Sequence, residues 1–91
     1  MHSTTLHIGF LTHEGQSAGY AHLTVELPFP PSTDIEFEHS TWRDPKRASS
    51  VSFNLLDSTF FVYLELHKLA PGVDIQRNAD MYRSHGWDVR S

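Results

Sequence analysis

Histidine is the residue type in this chain best suited to chemistry. Seven of the 91 residues are histidines, and they are scattered rather than gathered in a tag. If all seven took up a proton, the net charge would move from -4 to +3. Most of that change would fall near the free imidazole pKa of about 6.5. His7 and His22 stand out because each lies on the polar side of an alternating apolar–polar run. Aligning the apolar sides sets Ile8 against Leu23, Leu6 against Val25 and Phe10 against Ala21. His7 then faces Thr24 and His22 faces Gly9, as diagonal neighbours. Such neighbours lie about 7–8 Å apart, a span two imidazoles could close on one ion, with Glu26 as a third ligand. The chain contains no His-Glu-x-x-His run and no cysteine. Neither a metal ion nor another cofactor is expected, and the histidines are expected as surface residues of half-exposed strands.

Carboxylates are the next candidates for chemistry. Aligning Phe37 with Val51 places Glu38 and Glu65 on either side of Ser50. Two strand spacings then separate them by about 9–10 Å. That is the outer edge of the roughly 6.5–9.5 Å window of an inverting glycosidase pair. Two glutamates on a sheet face are commonplace, so Glu38 and Glu65 join His7 and His22 as a candidate polar site, without a catalytic role. Serines are plentiful, but no Gly-x-Ser-x-Gly elbow presents one as a nucleophile. His13-Glu14-Gly15-Gln16 has one glycine and an acidic neighbour, which repels a phosphate. No catalytic residue can be named, and the balance leans away from an enzyme.

Tyr20, Trp42, Phe61 and Tyr63 fall on the sides of their strands that the core does not need. Exposed aromatic patches mark contact surfaces. These four are the candidate interface.

The elements that must carry these residues are mostly strands. Runs of alternating apolar residues cover Thr4 to Thr12, Gly19 to Leu27, Asp34 to Trp42, Arg47 to Leu56 and Thr59 to Lys68. Pro28, Pro30 and Pro31 remove three backbone donors and end the first hairpin, with Phe29 expected as a plug beneath. Arg43-Asp44-Pro45-Lys46 reads as a turn and Asp57-Ser58 as a two-residue hairpin loop. That loop pairs Leu55 with Phe60, Phe53 with Val62 and Val51 with Leu64. The pattern has Leu66 facing inward. From Asp74 the period changes. Ile75, Ala79 and Tyr82 share one helical face, Asp74 is placed to cap the N-terminus, and Gly86 suits the C-terminus. Trp87-Asp88-Val89 then either packs on the sheet or adds an edge strand. The expectation is an α+β fold in one domain of residues 1–91. It is a five-stranded antiparallel curved meander, or small barrel, with one C-terminal helix on its apolar face.

Composition narrows the function. Eleven acidic residues against seven basic ones lack the basic footprint of a nucleic-acid binder. The longest apolar run, Phe60 to Leu64, is far short of the roughly 20 residues of a membrane helix. The N-terminus lacks the basic start and apolar core of a signal peptide. No nucleic acid and no membrane are expected as partners, and the expected compartment is the cytoplasm. The leading functional expectation is a non-enzymatic interaction module that self-associates, as a homodimer or larger, or binds a protein partner through the aromatic sheet face. A small-molecule or enzymatic pocket between sheet and helix is the second reading. An acidic inhibitor or immunity-type protein is the third, requiring carboxylates clustered without interleaved cations.

Overall fold

A computed structural model describes residues 1–90 of the chain. Strict alternation builds its first strand, β1 (His2–Leu11), in which Leu6, Ile8 and Phe10 are buried while Thr5 and His7 stay half-exposed. β2 (Ser17–Leu27) folds back on it antiparallel. The loop between them is closed by hydrogen bonds from Thr12 N–H to Gln16 O (2.8 Å) and from Gly15 N–H to Thr12 O (2.9 Å). Leu6 lies opposite Leu23 and Ile8 opposite Ala21, so the pairing differs by two residues from the one expected. An even shift keeps every side chain on its face. It also sets His7 directly opposite His22 rather than diagonal to it.

The chain then leaves the meander. With Pro28, Pro30 and Pro31 unable to donate to a ladder, residues 28–45 run the length of the sheet and hold only the short β3 (Glu36–Phe37). The expected strand over Asp34 to Trp42 is reduced to those two residues. Pro31 is buried and Phe29 is half-exposed, so the plug is a proline. β4 (Lys46–Asn54) and β5 (Thr59–Leu64) form the second hairpin, and β5 docks against β1 in parallel. β6 (His67–Lys68) continues the parallel pairing along β1. The order is β3-β4-β5-β1-β2-β7, with β6 beside β1, in a curled half-barrel of mixed direction. The purely antiparallel five-stranded meander is thereby corrected. The long crossover makes β1 a central strand, and its inward Ile8 is fully buried.

Two local events reset the second hairpin. The Asn54 side chain accepts a hydrogen bond from Leu56 N–H at 2.9 Å, and Ser58 takes a positive φ of 55°. The loop is therefore Leu55 to Ser58, not Asp57-Ser58 alone, and Phe53 pairs with Phe60 and Val51 with Val62. Leu55 and Leu56 project from the tip, 84% and 98% exposed. Further on, His7 pairs with Tyr63 but Phe10 pairs with His67, so one extra residue is inserted in the β5–β6 strand. A single insertion reverses the faces that follow it. Leu66, expected inward, is 64% exposed, and its Cδ2 lies 2.7 Å from where a Cβ on Gly9 would stand. His67 turns inward against the Phe10 ring.

α1 (Ile75–Ser84) begins where the Asp74 carboxylate accepts from Gln76 N–H at 3.1 Å, and Gly86 beyond its end has φ 93°. Its inward stripe is Asn78, Ala79 and Tyr82, while Ile75 stays exposed. β7 (Asp88–Arg90) then adds an edge strand antiparallel to β2. Sheet and helix meet over Leu6, Ile8, Phe10, Ala21, Val62, Leu64, Ala79, Tyr82, Trp87 and Val89. A ten-residue helix spans about 15 Å against a long axis of 39 Å. The far end of the inner face consequently stays open, with Phe53 45% exposed. No helix among the described residues is long and apolar enough to cross a membrane.

Candidate functional site

Register assembles the site on the outer face of the sheet. Ser50 pairs with Tyr63, Tyr63 with His7, His7 with His22 and His22 with Asp88. One row of side chains therefore crosses five strands. A second row runs Ser52, Phe61, Thr5 and Thr24. Tyr20 and Arg90 pair beside the first row, at the Gly9 position.

His7 is the hub. Its Nδ1 lies 2.7 Å from His22 Nε2, one nitrogen donating and the other accepting according to tautomer. Its ring stacks on Tyr20 at a centroid distance of 5.2 Å, and Tyr63 and Phe61 lie at 5.2 and 5.9 Å. His22 meets Tyr20 at 5.1 Å and Phe61 at 5.6 Å. Partial burial among these rings lowers the His7 pKa below the usual imidazole value, and the neighbouring His22 lowers it further. Burial likewise lowers His22, with the Asp88 carboxylate opposing and Arg90 reinforcing the shift. Both rings are therefore mainly neutral at pH 7. Beside them Thr5, Ser52, Asn54, Asp57, Thr59, Phe61 and Tyr63 line an open depression of about 550 Å³.

Of the four expected interface residues, Tyr20, Phe61 and Tyr63 share this face, and Trp42 does not. The crossover carries Trp42 over the end of the helix, where its Nε1–H donates to Tyr82 Oη at 2.8 Å and its ring packs 5.6 Å from Trp87. Burial raises the Tyr82 phenol pKa, partly offset by that hydrogen bond. Of the expected polar site, His7 and His22 come together while Glu38 and Glu65 do not join them. Phe37 pairs with Lys46 rather than aligning with Val51, which leaves Glu38 beyond the ladder. Glu65 lies past β5 with its N–H bonded to Arg47 O at 3.2 Å, and Ser50 faces Tyr63 instead of two carboxylates. Glu36 pairs with Arg47, so cations interleave with the acidic residues at this edge.

A second polar cluster, absent from the sequence reading, surrounds Trp42. His39 Nδ1 and Thr41 Oγ1 are 2.6 Å apart, Trp87 Nε1–H donates to Thr41 Oγ1 at 3.0 Å, and Ser40 Oγ lies 3.0 Å from His85 Nδ1. It ties the crossover to the helix end. No local pattern announced it, because residues 39–42 and 82–87 meet only through the crossover. The centre of the space between sheet and helix, the place of the second functional reading, is filled by the buried Ile8, Phe10, Tyr82 and Trp87, while at its edge Trp42, Lys46, His67, Met81 and Tyr82 line an open depression of about 280 Å³. No known protein family, curated protein or solved structure matches the chain.

Proposed function

We propose that the outer face joins two copies of this chain, making the protein a weakly self-associating module. The observation that carries this reading is composition. Across β4, β5, β1 and β2 the face presents Ser50, Ser52, Asn54, Phe61, Tyr63, Thr5, His7, Tyr20, His22 and Thr24. Of these ten none is charged while the two histidines are neutral, and the charged residues of the face stand at its margins, Glu26 opposite Ser3 and the paired Asp88 and Arg90 on β7. Aromatic enrichment with charge depletion is the signature of an interface centre. Tyr20 and Tyr63 remain 40% and 43% exposed, with the helix on the opposite side.

A second copy fits this face better than a charged partner. A neutral patch meets its own copy without like-charge repulsion, even in a chain of net charge -4. A tyrosine hydroxyl donates and accepts, and a neutral imidazole donates through one nitrogen and accepts through the other, so a two-fold contact can satisfy them reciprocally. Four strands about 4.8 Å apart and about five residues long cover roughly 300 Å² in plan. That is below the ~800 Å² per partner of a standard interface, which assigns the contact to the weak, concentration-dependent class.

Sedimentation from about 10 µM to about 1 mM brackets affinities of that class. The mass is expected to rise from 10.4 kDa toward twice that value. Tyr63→Ser should hold it at the monomer, and Leu56→Ser at the hairpin tip should change nothing. A parent chain that stays monomeric throughout would refute the reading. Loss of the dimer in Leu56→Ser but not in Tyr63→Ser would move the contact to the tip.

A further inference from the structure

We propose that the depression at the edge of the sheet–helix interface binds a small organic anion, a carboxylate carried on one aromatic ring. Lys46 and His67 hold the carboxylate, Arg43 stands at the rim, and Trp42 and Met81 take the ring. The site lies on the helix side of the sheet, so it stands whether or not two copies associate through the outer face.

Four separate segments build the depression. The crossover brings Trp42, Arg43 and Asp44, β4 opens with Lys46, β6 contributes His67, and α1 contributes Met81 and Tyr82. The insertion after β5 that turned Leu66 outward is also what turns His67 inward. Its ring stands edge-on to Phe10 at a centroid distance of 6.2 Å. A volume of about 280 Å³ lies at the lower bound of small-molecule sites, which suits one ring and a carboxylate rather than a nucleotide.

The charges favour an anion. Arg43 and Lys46 against Asp44 leave one positive charge in excess, two when His67 is protonated, in a chain of net charge -4. Among the described residues none of these three charged side chains enters an ion pair. No hydrogen bond among the described residues engages the half-buried His67 ring, yet no polar side-chain atom is buried without a partner, so its nitrogens reach open space. His67 is held below the ordinary imidazole pKa by burial first and by the Lys46 ammonium second, so two groups that repel as cations stand together. A carboxylate between them accepts from both and removes that repulsion. The apolar wall is equally ready. Trp42 Nε1–H is engaged by Tyr82 Oη at 2.8 Å, so the indole offers its ring rather than a donor. Met81, 38% exposed, adds a pliable thioether. Two other depressions lack this balance. The larger one beside Phe61 carries Asp57, the one beside His13 carries Glu14, and neither holds a lysine or an arginine.

Amide and imidazole NMR of the dilute parent chain with phenylacetate tests the site. The amides of Trp42, Lys46, His67 and Met81 should shift together and saturate, with a Kd of about 0.1–5 mM for a ligand of this size. The His67 titration midpoint should rise when phenylacetate is bound, because a carboxylate favours the charged ring. Two further probes need no variant. 2-Phenylethanol keeps the ring without the charge, and inorganic phosphate keeps the charge without the ring. Each should bind at least about fivefold more weakly than phenylacetate. Lys46→Gln should weaken phenylacetate by at least about fivefold, while Lys68→Gln, next to His67 on β6, should leave it unchanged. Equal affinity for phenylacetate and 2-phenylethanol would overturn the proposal, as would phosphate binding as tightly as phenylacetate. An unmoved His67 midpoint at saturation, or shifts centred on Tyr20 and Tyr63, would overturn it as well.

Discussion

Removing a single oxygen atom tests the junction between the crossover and the core. Tyr82 is fully buried, and its hydroxyl accepts the Trp42 Nε1–H at 2.8 Å. Tyr82→Phe keeps the ring and its contacts with Phe10 and Trp87 but strands the indole donor. Leaving a part-buried donor unpaired costs about 1–3 kcal/mol. At roughly 4–8 °C per kcal/mol for a domain of this size, a loss of about 2 kcal/mol lowers the melting temperature by some 8–16 °C. Calorimetry of Tyr82→Phe, Trp42→Phe and the double variant completes a cycle. The coupling should be about 0.5–1.5 kcal/mol, because the second substitution removes a partner already lost. Trp42→Phe should also lower stability without changing the monomer–dimer balance. A Tyr82→Phe loss below about 0.5 kcal/mol with zero coupling would show that the hydrogen bond does not hold the crossover. Trp42→Phe that weakened dimerisation at unchanged stability would return Trp42 to the outer face.

Four histidines, His7, His22, His39 and His67, are held below the ordinary imidazole pKa, each chiefly by burial. The unfolded chain therefore takes up protons first. Stability is complete above about pH 6.5 and falls as the pH drops toward the folded-state values. Melting curves with a metal chelator should show a lower midpoint at about pH 5 than at about pH 7.5, and an unchanged midpoint would contradict the burial of these rings. Gly86→Ala should destabilise by about 1 kcal/mol in urea unfolding, because φ 93° strains any Cβ. Gly9→Ala should stay within about 1 kcal/mol of the parent chain, because the Leu66 methyl in its way ends an exposed side chain that can rotate aside. Ile8→Val in the fully buried centre should cost about 0.5–1.5 kcal/mol by the same assay.

Local chemistry made much of the fold legible before topology did. The inward positions of β1, the Asp74 cap and the Gly86 stop all depend on residues within a few positions of one another. Alternation also assigned the faces of both hairpins despite registers wrong by two residues, since an even slip leaves faces intact. Neighbour choice between strands is different. Nothing within Asp34 to Trp42 distinguishes a strand beside β2 from a crossover beneath the sheet. The three prolines read as the end of the first hairpin, and they open a passage of residues 28–45 to the far side of β1. Parallel pairing of β5 with β1 follows from that passage, and so does the packing of the partly buried Trp42 against the core.

The candidate site divides along the same line. Tyr20, Phe61, Tyr63, His7 and His22 were all legible as outer-face residues, because parity alone decides a face. Their mutual contacts were not, because contact depends on register and on strand order together. An even slip in the first hairpin turned a diagonal histidine pair into a direct one, with nitrogens 2.7 Å apart. The crossover then placed β5 against β1, bringing Tyr63 and Phe61 onto His7 from the side where a meander would have put nothing. Glu38 and Glu65 failed for the complementary reason. Their pairing required β3 to align along β4, and β3 reaches only Lys46 and Arg47. The chemistry of this face thus resides in the long connection as much as in the histidines. A chain with the same outward residues in a meander would present His7 at an edge of the sheet, open on one side and without the aromatic wall that desolvates it.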